Sequence, residues 1–360
     1  MFTTIIFIAV ISVLVFVHEF GHFVFAKRAG MKVEEFGFGF PPRLWGFKRG
    51  ETIYSINWIP FGGFVKILGE DGEERDNPRS FGSKPFWPRM KVVIAGVTMN
   101  FLFAILLLMI GNFIGLRKVV ENSALSLASD LQVQIYQISP DSPAQAADLR
   151  ILDEIKAFRL SNGGTVAITD SKDVSNFVNQ HKGEKVTIIL QRGGEELQKE
   201  VGLRANPPAG QGPLGIAPIL TGIYSYPWYE SVWRGVYDSV GLVINTVYGY
   251  GLLFKTLLFH GKLLADVSGP IGIANLTGQA ARVGFNFLLQ FMAMISVNLA
   301  VLNIIPFPAL DGGRAFLLIV EKIRGVTLNK KVEGVINASG FILLLALMAF
   351  ITIKDIGKFF

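Results

Sequence analysis

Four apolar stretches, each about as long as a bilayer is thick, constrain this chain more than any other feature. Residues 4–26 are apolar except for Thr4, Ser12, His18, Glu19 and His22, and residues 92–116, 285–305 and 335–353 are apolar over comparable lengths. A helix needs roughly 20 such residues to cross the hydrocarbon core. Only 17% of the residues are charged and the mean hydropathy is +0.44, values that a soluble domain of this size rarely combines. The chain therefore reads as an α-helical polytopic membrane protein with about four transmembrane helices. A fifth stretch, 231–259, is apolar but interrupted by Arg234, Asp238, Asn245 and Lys255, which favours an amphipathic helix along the membrane surface.

The first stretch does not read as a cleaved leader, because no positive residue precedes it and no small-residue cleavage site follows it. Lys27 and Arg28 follow it instead, which predicts an outside N-terminus and cytoplasmic residues 27–91. Four crossings then place 117–284 and the C-terminus outside and return 306–334, with Arg314, Lys322, Arg324, Lys330 and Lys331, to the cytoplasm. This topology accounts for the formal charge of +6, so no nucleic-acid partner is needed, and Cys 0 excludes disulfide and thiol chemistry.

Between the first two spans, residues 32–66 alternate aromatic and β-branched pieces with Gly and Pro, the pattern of β-hairpins at the lipid interface. Residues 67–87 are a polar loop. Residues 130–205 are the clearly soluble part. LQVQIYQIS reads as a strand, SPAQAADL as a short helix, ILDEIKAFRL and TVAI as strands, and DSKDVSNFVNQHKG as a helix capped by Asp170 or Ser171 and stopped at Gly183. A hairpin turning at Gly193-Gly194 follows. This α+β order resembles a circularly permuted bacterial PDZ domain, with Leu152 where a glycine is usual, and 207–215 reads as a linker back to the membrane. The organisation is thus 1–116 for two spans and the β region, 117–220 for the inserted extracytoplasmic module and linker, 221–284 for the surface region, and 285–360 for the last two spans.

His18 and His22 lie four residues apart, so on a helix both imidazoles leave one face a turn apart and can reach one tetrahedral zinc. Glu19 beside them can take a proton from water at that metal. H-E-x-x-H alone is a weak pattern, and two histidines satisfied by neighbours are the plain alternative. Ionisable groups in a transmembrane segment are costly and persist mainly where they act, and two of the chain's four histidines sit here. A zinc hydrolase site needs a third ligand. Residues 297–316 run from an apolar helix into Pro306, Pro308 and Leu310-Asp311-Gly312-Gly313, which would let Asp311 turn inward. On these residues alone, an ordinary Asp-Gly turn at the membrane edge is the stronger reading of Asp311. Asn303 could hold substrate backbone or an oxyanion, or make an interhelical hydrogen bond.

HEFGH, EEFGFGFPPRL, PFGGFVKILGE, AGVTMNF and NIIPFPALDGG occur in the order of the site-2 protease family of intramembrane zinc metalloproteases, which the chain resembles over nearly its whole length. The resemblance implies a zinc-dependent endopeptidase in the bacterial cytoplasmic membrane that cuts single-span membrane proteins within or near the bilayer, such as an anti-sigma factor or a remnant signal peptide. It implies His18, His22 and Asp311 as zinc ligands, Glu19 as catalytic base and Asn303 as a substrate-positioning residue. It further implies that the segment of Gly37, Phe38 and Gly39 offers a strand edge to an unwound substrate, and that the PDZ groove takes a peptide. Asn100 falls on a family position, but the residues give it no chemistry. His181 reads as exposed and His260 as structural. A non-catalytic PDZ-bearing scaffold, a proton or metal transporter, and a membrane-anchored protease of soluble proteins are the rival readings. The transporter would show more polar positions and repeated halves, neither of which is visible.

Overall fold

The computed structural model describes residues 2–70, 74, 76–120, 122–260, 268–327 and 329–359. They form two compact units, one of Met1–Ile110, Tyr229–Ala281 and Leu289–Phe360, the other of Gly111–Trp228 and Arg282–Leu288. In chain order come α1 (Phe2–Arg28), β1 (Val33–Arg49), β2 (Thr52–Ile67), α2 (Phe86–Ile114), β3 (Leu116–Val119), β4 (Ser129–Ile138), α3 (Pro143–Ala146), β5 (Glu154–Leu160) and β6 (Thr165–Ala167). These are followed by α4 (Ser171–Gln180), β7 (Lys185–Arg192), β8 (Glu195–Gly202), β9 (Ile216–Tyr224), α5 (Trp228–His260), α6 (Pro270–Val283), α7 (Phe285–Ile304), α8 (Asp311–Arg324) and α9 (Lys330–Phe359).

Among the described residues, five helices are long and apolar enough to cross a bilayer: α1, α2, α5, α7 and α9. Four are the expected spans; α5 is the addition, and its apolar window is not buried. It does not lie across the end of the helical unit as a surface helix would. Gly235 of α5 packs on the backbone of Met109, and the Tyr250 hydroxyl donates to Asn298 Oδ1 of α7 at 2.9 Å. Ser296 of α7 donates to the carbonyl of Asn100 at 2.8 Å, which sets α7 level with Asn100, whereas Met109 lies about 13 Å further along α2. So α5 runs obliquely down the flank. Of the residues that suggested a surface helix, Arg234 and Asp238 fall in its first turns, where Arg234 pairs with Glu230 at 2.7 Å, beside the exposed Trp228, Tyr229, Trp233 and Tyr237. That is the composition of an interfacial belt on the end of an apolar helix.

The β region is a hairpin whose return strand doubles back. Residues 35–38 of β1 pair on one side with 53–56 of β2 and on the other with 63–66, and 52–56 pair on their far side with 45–49 of β1, so 63–66 and 45–49 are the two edges. Beyond residue 40 the hairpin exposes Leu44, Trp45, Phe47 and Trp58, as expected for a β element in contact with lipid. Its far turn is tied to the end of α1 through Glu51, which Lys27 at 2.8 Å and Arg79 at 2.6 Å hold below the ordinary carboxylate range.

The second unit is a sheet in the order β3-β9-β4-β5-β7-β8, with β6 on β5. Its core centres on Phe158, fully buried and stacked on Phe177 of α4 with ring centroids 4.4 Å apart. The expected helix over 170–183 is α4, capped reciprocally by Asp170 and Asp173, and the expected hairpin turns at Gly193 and Gly194, both at positive φ. One element escaped the sequence reading. Residues 207–215, read as a linker to the membrane, lead into β9, which crosses the expected boundary at residue 220 and inserts between β3 and β4. Leu152, standing where a glycine was expected, has φ +73°. That conformation costs a non-glycine residue about 1–2 kcal/mol, partly offset because glycine loses about 0.5–1 kcal/mol more chain entropy on folding. Leu152→Gly should therefore stabilise this unit by about 0.5–1 kcal/mol, read as a rise of a few degrees in its thermal midpoint; a fall would mean that Leu152 contributes packing that outweighs its strain.

Candidate metal centre

α1 places His18 and His22 one turn apart on its buried face, both less than 10% exposed. Their Nε2 atoms are 3.2 Å apart, and Asp311 Oδ2 stands 3.1 Å from the first and 3.3 Å from the second. Asp311 reaches them because the helix preceding it ends. α7 stops at Ile304, Pro306 and Pro308 cannot continue it, and Ala309 turns at φ +72°. The chain re-enters as α8 with Asp311 as its first residue. Gly312 and Gly313 serve by size: a Cβ on either would strike the carbonyls of Ile304, Ile305 and Phe307. On the far side, Gly340 of α9 packs on Pro308, and Asn337 accepts from the Ala309 amide at 3.4 Å.

The donor set suits a cation. His22 Nδ1 lies 2.8 Å from the Val92 carbonyl, which can only accept, so Nδ1 carries a proton, and the neutral form of the ring offers Nε2 as a lone pair. That lone pair faces a second imidazole nitrogen and a carboxylate oxygen that is buried without a hydrogen-bond partner. Three electron-rich atoms in mutual contact repel one another unless a positive charge lies among them. Tetrahedral zinc with bonds of about 2.0–2.1 Å sets its ligand atoms about 3.3–3.4 Å apart, and the three observed separations are 3.1–3.3 Å. Two imidazoles and one carboxylate with one side left open are a donor set that zinc accepts.

Helix α2 supplies the surroundings of both rings from a single face. Val92 holds His22 Nδ1, Asn100 Nδ2 lies 3.3 Å from His18 Nδ1, and Gly96 between them leaves room for both imidazoles. Gly21 brings α1 into backbone contact with Ala95. Beside His22 a cavity opens, lined by Glu19, Val65, Glu70, Phe81, Asp311 and Arg314. Arg314 is paired with Glu70 at its rim.

The structure thus brings together His18, His22 and Asp311, with Glu19 alongside. Asn303 sits half-buried in the last turn of α7 and is not among the residues lining this cavity. Gly37, Phe38 and Gly39 lie in the first half of β1. Residues 37 and 38 have both edges paired, and Gly39, at φ +78°, has its carbonyl taken by Asn57 Nδ2 at 3.0 Å. Of the two edges of this sheet, 63–66 passes the site: a Cβ on Gly63 would lie 3.9 Å from Glu19 Cγ. His181 packs on Phe177 and pairs with Glu184 at 3.0 Å at the end of α4; the side chain of His260 falls outside the described residues. Sequence reasoning missed Val92, Gly96, Glu70 and Arg314, and the first two share with Asn100 a spacing of four along α2 that was its one available signal.

The chain matches Peptidase family M50 over residues 6–347. It is 37% identical over 346 residues to a candidate zinc metalloprotease of Clostridium perfringens, covering 96% of each chain. It is 30% identical to the zinc metalloprotease RasP of Shouchella clausii, covering 99% of each, and 29% identical to RasP of Geobacillus kaustophilus, covering 98% of this chain and 97% of the relative.

Proposed function

This chain belongs to peptidase family M50 and is a zinc metalloprotease of that family, and from that premise we propose that it cuts single-span membrane proteins within or near the bilayer. The observation that carries the proposal is the buried convergence of His18, His22 and Asp311 beside Glu19, reached from helices apolar enough to cross a membrane.

His18, His22 and Asp311 would hold the zinc. A zinc ion there supplies Lewis acidity towards a peptide carbonyl and makes water a stronger acid. The work of the chain itself is separable from that. Glu19, in the adjoining cavity, accepts a proton from the attacking water and returns it to the leaving amine nitrogen. A transmembrane helix shields its own amides, so a substrate has to be opened before cleavage. Adding the extended segment to an exposed strand edge holds it in reach. Of the two edges of this sheet, the one that passes Glu19 is 63–66, which pairs with 35–38 and so with part of the Gly37–Gly39 segment, and we assign the substrate strand to it. Asn303, at the end of α7, would steady the extended chain. An anti-sigma factor or a remnant signal peptide fits this substrate class. The protein is a bacterial membrane protein; we place it in the cytoplasmic membrane with the centre towards the cytoplasm, where Lys27, Arg28 and the basic residues of α8 lie. The sheet unit, read as a PDZ module, would bind a peptide.

Purified protein should carry about one zinc per chain, and His18→Ala or Asp311→Ala should remove it while leaving helix content unchanged. Metal analysis by mass spectrometry checks this. Wild-type protein that neither contains zinc nor takes it up would reject the proposal.

A further inference from the structure

We propose that Asn100 is a positioning residue of the metal centre: its side-chain oxygen accepts the Nδ1 proton of His18 and thereby fixes the tautomer and orientation in which His18 offers Nε2. The inference rests on the zinc reading above.

Asn100 is fully buried on α2, and its Nδ2 lies 3.3 Å from His18 Nδ1. Its Oδ1 is buried with no hydrogen-bond partner. A ring that gives Nε2 to a metal is neutral and keeps its proton on Nδ1, so Nδ1–H must find an acceptor. An amide nitrogen there would set donor against donor. A half-turn of the side-chain amide exchanges its two ends and presents the otherwise orphaned oxygen to Nδ1–H. The companion ring supports the assignment, since His22 Nδ1 already donates to an oxygen acceptor, the Val92 carbonyl, at 2.8 Å. Val92 and Asn100 stand eight residues apart on α2, two helical turns, with Gly96 midway and against both rings. A backbone carbonyl thus serves one histidine and a side-chain carbonyl the other. Asn100 is itself held from behind, because Ser296 of α7 donates to its backbone oxygen at 2.8 Å.

The test is zinc affinity, measured in full-length detergent-solubilised protein by competition with a chromogenic chelator. Asn100→Leu, which keeps the volume and removes the acceptor, should weaken zinc binding about 10–100-fold. Asn100→Asp, which keeps an acceptor at the same position, should stay within about threefold of wild type or bind more tightly. Should the leucine variant fail to fold, Asn100→Ala carries the same expectation as that variant. Wild-type affinity in the leucine or alanine variant overturns the proposal. So does an aspartate variant as weak as leucine, which would reduce Asn100 to packing. Failure of the zinc reading is distinguishable, since wild type would then bind no zinc or His18→Ala would bind it unchanged.

Discussion

Glu19→Gln is expected to lower turnover by about 10²–10⁴-fold, the range typical for loss of a general base, with zinc content unchanged. That range corresponds to about 3–5 kcal/mol of transition-state stabilisation. The substitution keeps the shape and size of the side chain and removes only its capacity to accept a proton. Zinc should remain because Glu19 is not one of the three converging donors, which are His18, His22 and Asp311. A second carboxylate makes the experiment discriminating. Glu70 lines the same cavity, but it is paired with Arg314 and so committed elsewhere. Glu70→Gln should therefore cost far less turnover than Glu19→Gln. Rates on a transmembrane peptide substrate in detergent, taken alongside metal content, check both. If Glu19→Gln stayed within fivefold of wild type while Glu70→Gln collapsed, the base would be Glu70.

The difference between what was and was not legible in the sequence follows from where each signal is stored. His18, Glu19 and His22 were readable because helical geometry alone places them, and because ionisable groups in an apolar run demand a reason. Asp311 was readable as a candidate because prolines and paired glycines announce a helix break at a fixed point. Its arrival within 3.1 Å of His18 depends on how α7, α8 and α9 pack, which no local pattern records. The pairing around Gly37 and Phe38 was illegible for the same reason. Gly37 and Phe38 look like part of a free hairpin until residues 63–66 fold back and take their open side. β9 was hidden behind a Pro/Gly-rich approach that has the composition of a linker. Whether α5 crosses was not legible, because Arg234, Asp238, Asn245 and Lys255 interrupt a helix that is nevertheless long and apolar enough to span. Gly96 and Asn100 lie in a helix that is apolar all round, so no polar face marks the side that meets α1.

Gly96→Ala is the sharpest test of that α1–α2 contact, and it should abolish zinc binding and peptidase activity while the protein stays folded. A Cβ on Gly96 would sit 2.6 Å from His18 Cε1 and 2.8 Å from His18 Nε2, and closer still to His22 Nε2. It would thus occupy the side on which both rings offer their lone pairs. Nor can the helices separate cheaply, since Gly21 already lies in backbone contact with Ala95 one residue away. The rings themselves must turn, which breaks the bond from His22 Nδ1 to Val92 and draws His18 from Asn100. Stability should change little by comparison. Alanine gains about 1 kcal/mol over glycine in a helix interior, against about 1–3 kcal/mol for one overpacked methyl. Gly241→Ala is the matched control, because a Cβ there meets nothing within 4 Å and should leave zinc content and turnover at wild-type values. One zinc per chain and wild-type turnover in Gly96→Ala would show that the rings can yield to a methyl group, and the close seating of α2 on the two histidines would then not be what shapes the metal site.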